Sequence, residues 1–149
     1  MTTTIRDELQ EVVDHLFVDN PPTNPAPTTI DIAQLKKGRV RPRTANDART
    51  LVYLDVIASP ELAPYIAGGS VTGTPHEPRI RFSVEGGEAG AHDAPLQVAR
   101  ELHGILANNP PPGWTWLIAI DGTPILEPNE TPTERPVYRF DLRGRYEEA

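Results

Sequence analysis

Residues able to carry acid–base or metal chemistry are few in this chain and lie far apart. The histidines are His15, His76, His92 and His103. Two fall in loop-like stretches beside a carboxylate, His76 in T-P-H-E-P-R and His92 in G-A-H-D-A-P. A neighbouring carboxylate can orient an imidazole as a general base, but that chemistry needs a positioned nucleophile, and none accompanies either pair. There is no cysteine, which removes thiolate nucleophiles, disulfides and cysteine zinc sites. No H-E-x-x-H or similar short spacing joins the histidines. His15 and His103 fall at the polar margins of two helical patterns, where a satisfied or solvated imidazole is expected. The glycine-rich pieces, G-G-S-V-T-G from Gly68 and G-G-E-A-G from Gly86, match neither a P-loop nor a dinucleotide fingerprint and are expected to be turns. Asp55, Asp121 and Asp141 lie on or beside strand-like segments, yet no calcium-type loop surrounds them. No catalytic residue, metal or cofactor is expected. A small ligand-binding domain or enzyme working through the loop histidines is the alternative that would need them.

Side chains suited to contact rather than catalysis are more concentrated. Residues 36–49, K-K-G-R-V-R-P-R-T-A-N-D-A-R, contain Lys36, Lys37, Arg39, Arg41, Arg43 and Arg49. This stretch is either a solvated loop or an arm that touches a neighbouring subunit or a phosphate backbone. Without an aromatic residue it offers no stacking platform for single-stranded nucleic acid. Residues 136–146, P-V-Y-R-F-D-L-R-G-R-Y, alternate with a period of two. Tyr138, Phe140, Leu142 and Tyr146 should face a core, while Arg139, Asp141, Arg143 and Arg145 face water, a subunit contact or a channel. Trp114 and Trp116, two apart in W-T-W-L-I-A-I, should share one face, either packed on the second helix or exposed as a docking ridge.

Such rows need elements to hold them. Residues 5–17 place Ile5, Leu9, Val12, Val13, Leu16 and Phe17 on one helical stripe, with Thr4 as N-cap. Residues 94–107 form a second amphipathic pattern with Asp93 as N-cap and Pro95 in the first turn. Strands are expected at 28–32, 51–57, 114–120 and 136–146, and at 70–74 and 79–85 as a hairpin or one bent strand. Residues 61–66 suggest one helical turn and Gly68-Gly69 a tight turn. Asp121-Gly122 is a hairpin signal with its return limb at 123–127. The order contains no repeated βαβ unit. The expected fold is α+β: a single mostly antiparallel sheet with two helices packed on one face, plus long Pro-rich loops or arms. One domain is expected over 1–149, with 18–50 as a partly extended, Pro-rich and basic loop or arm.

The 17 prolines lie in clusters that partition the chain. The formal net charge of −7 argues against non-specific nucleic-acid binding by the whole surface. No apolar run approaches the ~18 residues needed to cross a bilayer, so a soluble product without a membrane partner is expected.

The order and spacing of several segments resemble the tail terminator proteins of long-tailed, siphovirus-type bacteriophages, especially those infecting actinobacteria. They are the amphipathic N-terminal helix, L-V-Y-L-D-V-I from Leu51, G-G from Gly68 followed by P-R-I-R-F-S-V-E from Pro78, H-D-A-P-L-Q-V-A-R-E-L-H-G-I-L from His92, and R-P-V-Y-R-F-D-L-R-G-R-Y from Arg135. The resemblance implies a virion protein that forms a hexameric ring on the last ring of the major tail (tube) protein. Such a ring stops tube polymerisation and joins the tail to a head-completion or stopper protein. Genome DNA passes through its lumen without sequence-specific binding. It implies assembly in the host cytoplasm and a final place at the head-proximal end of the tail. Another head-tail connector or minor tail ring protein is the nearest alternative. The family transfers no catalytic residue. The candidate subunit, partner or lumen contacts are therefore the basic residues of 36–49, the two tryptophans and the charged row from Arg139 to Arg145.

Overall fold

A computed structural model describes residues 7–19, 24–38, 47–60, 66–67, 70–71, 74–107, 109–120, 122–128 and 134–148. Helix α1 spans Glu8–Phe17 and α2 Asp93–Leu106, and a 3-10 turn occupies Ile32–Gln34. The strands are β1 Leu35–Lys37, β2 Leu51–Ala58, β3 Ile66–Ala67, β4 Ser70–Val71, β5 Thr74–His76, β6 Arg79–Glu85, β7 Trp114–Ala119, β8 Ile125–Leu126 and β9 Val137–Glu148. β3 and β4 pair only with each other, Ala67 opposite Ser70. The other seven build one mixed, mostly antiparallel sheet, in which only the β1–β2 pair is parallel.

β9 organises that sheet. Along one edge it meets β6, from Glu85↔Val137 to Arg79↔Arg143, and then β5, from His76↔Tyr146 to Thr74↔Glu148, without a change of register. The Gly144 N–H donates to the Pro78 carbonyl at 2.9 Å across the gap. β5 and β6 are thus one strand interrupted at Glu77-Pro78, where proline has no N–H to give the ladder. The other edge of β9 takes β7 and β8.

The period-two pattern explains the core. Val52 and Leu54 on β2, Ile80, Phe82 and Val84 on β6, and Tyr138, Phe140 and Leu142 on β9 face one side and are buried. Both helices cover this side, α1 through Val12, Val13 and Leu16, and α2 through Val98, Ala99, Leu102 and Leu106, in one continuous cluster. Phe82 and Phe140 stack as cross-strand partners with ring centroids 4.9 Å apart, adding about 1 kcal/mol beyond their area burial. The expected α+β arrangement is therefore present, with the two helices on one face.

Several local expectations are corrected. α1 begins three residues later than the pattern suggested, because Asp7 caps it and accepts from the Gln10 N–H at 3.0 Å. Thr4 and Ile5 lie outside the described residues. α2 starts at Asp93 with His92 at the capping position and no side-chain cap bond, so Asp93 acts from the first turn, next to the positive end of the helix dipole. The strand expected at 28–32 is absent. Asp31 accepts from the Ala33 N–H (2.9 Å) while the Gln34 side chain accepts from the Asp31 N–H (2.9 Å), and this capping box winds a 3-10 turn that postpones the strand to Leu35–Lys37. Lys36 and Lys37 consequently belong to a strand and not to a loop. The helical turn at 61–66 and the turn at Gly68-Gly69 fall outside the described residues, except that Ile66 belongs to β3.

Asp121 lies outside the described residues, but the flanks of the hairpin expected at Asp121-Gly122 do not pair with each other. β7 and β8 do not pair with each other; they follow one another along β9, from Ala119↔Leu142 to Ile125↔Arg139. The Ile120 and Glu127 N–H groups extend that ladder by donating to the Asp141 and Val137 carbonyls (3.0 and 2.9 Å). An Asp-Gly turn makes a hairpin only if its flanks pair together, and here a longer strand offers them an edge. The two tryptophans also part company. A register shift between Trp114↔Tyr146 and Trp116↔Arg145 places the two side chains on opposite faces.

Candidate functional site

The face of the sheet opposite the helices collects the charged row of β9. Arg81 grips Asp141 with two hydrogen bonds, Nε to Oδ1 at 2.8 Å and Nη2 to Oδ2 at 3.0 Å. The Asp141 hydrogen bond is the main reason that the Arg81 guanidinium is held charged even more firmly than usual. Arg139 lies 3.8 Å from Glu127, and Arg145 Nη1 donates to Glu77 at 3.3 Å. Arg143 extends over the Trp116 ring, 5.3 Å from its centroid, in a cation–π contact. Its Nε is buried without a hydrogen-bond partner. Arg79 stands directly opposite Arg143 in the ladder. Like charges in such a position repel, and the structure gives neither arginine a carboxylate among the described residues.

One end of this face is closed. Arg135 Nη2 donates to the Asp47 carbonyl at 3.0 Å, Arg135 also lies 3.9 Å from Glu85, and Leu51, Tyr53 and Val137 beneath are buried. Gly87 lies so close to the Ala48 backbone that a Cβ would collide with it. At the other end Arg79 is exposed, while Arg143 and Trp116 are half-buried.

The other candidates sort differently. Trp114 is only 6% exposed and belongs to the core. It packs on Tyr146 and over Gly144, and its Nε1 donates to Glu11 of α1 at 3.4 Å. It shares the core cluster with residues of both helices, and α2 itself contacts β7. Lys36 and Lys37 lie on the edge strand β1, and Lys37 pairs with Asp7 at 3.0 Å. Arg49 is exposed and bonded to Asp47 (3.0 Å). Arg39, Arg41 and Arg43 lie outside the described residues.

The histidines are used in packing. His76 stacks on Tyr146 (5.0 Å) while Glu77 serves Arg145. His92 Nδ1 is hydrogen-bonded to the Tyr138 hydroxyl at 3.0 Å, and His103 meets the Phe140 ring edge-on. His15 is 2% exposed. Its Nε2 lies 3.1 Å from the Asn109 carbonyl and against the Asn24 side-chain amide, and its Nδ1 is 3.8 Å from Asp19. Burial is the chief cause that lowers its pKa, and the Asn109 and Asp19 contacts only partly oppose it. Among the described residues no cluster of three metal-ligating side chains occurs, and no helix is long and apolar enough to cross a membrane.

Two features were not visible in the sequence. The Glu101 carboxylate on α2 accepts from the N–H and hydroxyl groups of both Thr28 and Thr29. Burial opposes its ionisation, but these four bonds prevail and hold its pKa below the usual value. With Asn24, Pro27 and Ile30 buried as well, this part of the Pro-rich segment lies strapped to the helices. Arg81 was the other omission, since its alternation with Ile80 and Phe82 marked a strand without naming its partner. No protein-family model matches the chain, and no curated protein does.

Proposed function

We infer that this chain is a structural ring protein of the tail terminator type, six copies of which cap the tube of a long-tailed phage and join it to the head-completion proteins. The observation that carries the reading is the division of the sheet. Both described helices cover one face, while the other presents arginine–carboxylate pairs beside Trp116. Arginine and tryptophan are the residues on which protein contacts concentrate. The order of the resembling segments supports the choice of family. The loop histidines that an enzyme would need are engaged with Tyr146 and Tyr138.

In this role the acidic net charge suits a lumen through which DNA slides. The test is to polymerise the tail-tube protein encoded in the same genome with and without the purified chain. Tubes should stop at shorter lengths and carry a six-fold ring at one end in negative-stain images. Tube lengths that do not respond to the chain would refute the terminator reading, and binding to portal-side adaptor rings instead would favour another connector ring.

A further inference from the structure

Apart from Val18 at the end of α1 and Ile32 in the 3-10 turn, the exposed large aliphatic side chains among the described residues lie at the two ends of the main sheet. Val56 and Ile57 (38% and 46% exposed) end β2 beyond the stretch that β1 covers, and Ile120, Ile125 and Leu126 (45%, 43% and 43%) line the edge formed by β7 and β8. No described strand pairs on the outer side of β1 or of β7 and β8. Open strand edges are normally blunted by charge, because their free N–H and C=O groups invite another chain. Here the charges differ in sign: β1 carries Lys36 beside the Lys37–Asp7 pair, whereas β8 runs into Glu127, which lies 3.8 Å from Arg139.

That difference selects the partner. Two β1 edges would set lysines against lysines, and two β8 edges would set Glu127 against Glu127. Only unlike edges match in both charge and apolar surface. The directions match as well. β1 is parallel to β2, and antiparallel pairings lead from β2 to β6, to β9 and to β8, so β8 runs opposite to β1. A second copy placed alongside in the same orientation therefore meets the first as an antiparallel pair, with both ladders' free groups facing each other.

We propose that the β1–β2 edge of one copy docks on the β7–β8 edge of the next, so that the sheet continues from subunit to subunit. Such a head-to-tail contact uses each edge once and either closes into a ring or grows as a filament. Closure into a ring rests on the function proposed above; the edge contact does not.

Two double variants test it, V56K/I57K on one edge and I125K/L126K on the other. All four positions are exposed, and unchanged circular dichroism and melting confirm that each variant folds. By native mass spectrometry over a concentration series, the unaltered chain should assemble, and each variant alone should associate at least about tenfold more weakly. Mixed in equal amounts, the two variants each retain one good edge and should form a one-to-one dimer and nothing larger. A chain that stays monomeric at every concentration overturns the proposal, as do variants that assemble normally or a mixture that stays monomeric. Tube capping reads the other proposal separately. Assembly through these edges without capping removes the terminator role alone, and capping that survives in both variants, with their assembly intact, removes the edge contact alone.

Discussion

The two sides of β9 are ordered by different physics. Phe140 and Leu142 are fixed by volume, between Phe82 and Ile80 on the neighbouring strand and two helices above. Arg139, Asp141, Arg143 and Arg145, on the reverse side, are fixed by individual partners, and the strength of those partnerships is uneven. Arg81 and Asp141 satisfy each other, whereas Arg79 and Arg143 face each other. The helix-covered side is closed over β6 and the middle of β9. The reverse side has unused valence, and it is there and at the sheet edges that association is expected.

Substitutions should separate the two sides by size of effect. Phe140→Ala removes a buried ring from the stack with Phe82 and should lower unfolding free energy by about 3–5 kcal/mol in a denaturant titration. Gly144→Ala comes next. A Cβ there would press into the Trp114 ring, which is held by Tyr146, so a loss of about 1–3 kcal/mol is expected from overpacking, visible as a lower melting temperature. On the reverse side, a double-mutant cycle on Arg81 and Asp141 should give a coupling of about 1 kcal/mol that shrinks as salt is added. A larger coupling than the Phe140 effect would invert the comparison.

The smallest expected effect is a pH dependence from His15. Its folded pKa lies below its ordinary value of 6.5. The folded state then binds fewer protons than the unfolded one, so the stabilising contribution is complete above the ordinary value and is lost as pH falls through it toward the depressed value. Stability should decline as pH falls through the ordinary value of 6.5, and His15→Asn should flatten that decline. An equally steep decline in the variant would assign the acid sensitivity elsewhere.

What was legible in the sequence was whatever repeats with a strict period. The alternation from Tyr138 to Tyr146 and the stripes of both helices announced the core face and the α+β class. A bulge breaks such reasoning at a single residue, as Trp114 and Trp116 show. The false hairpin at Asp121-Gly122 has a related cause, because local turn chemistry carries no information about a third strand arriving later in the chain. The bidentate partner of Asp141 and the Thr28, Thr29 and Glu101 clamp join residues far apart in sequence, which no spacing rule reaches. The charged row itself was identified from alternation, but the inequality among its members emerged only from the register of β6 against β9.

The position of β9 in the chain has a consequence for biosynthesis. It is the last of the described elements, yet β6, β5, β7 and β8 all hydrogen-bond to it. A chain leaving the ribosome N-terminus first therefore displays the apolar rows of β2 and β6 before their central partner has been made. Long-range strand pairing of this kind delays folding and prolongs aggregation-prone exposure. Release of β9 from the exit tunnel thus becomes the event that commits the nascent chain, and a ribosome stalled before Val137 should hold a protease-sensitive product, whereas one stalled on an added C-terminal linker long enough to clear Glu148 from the tunnel should hold a protected one.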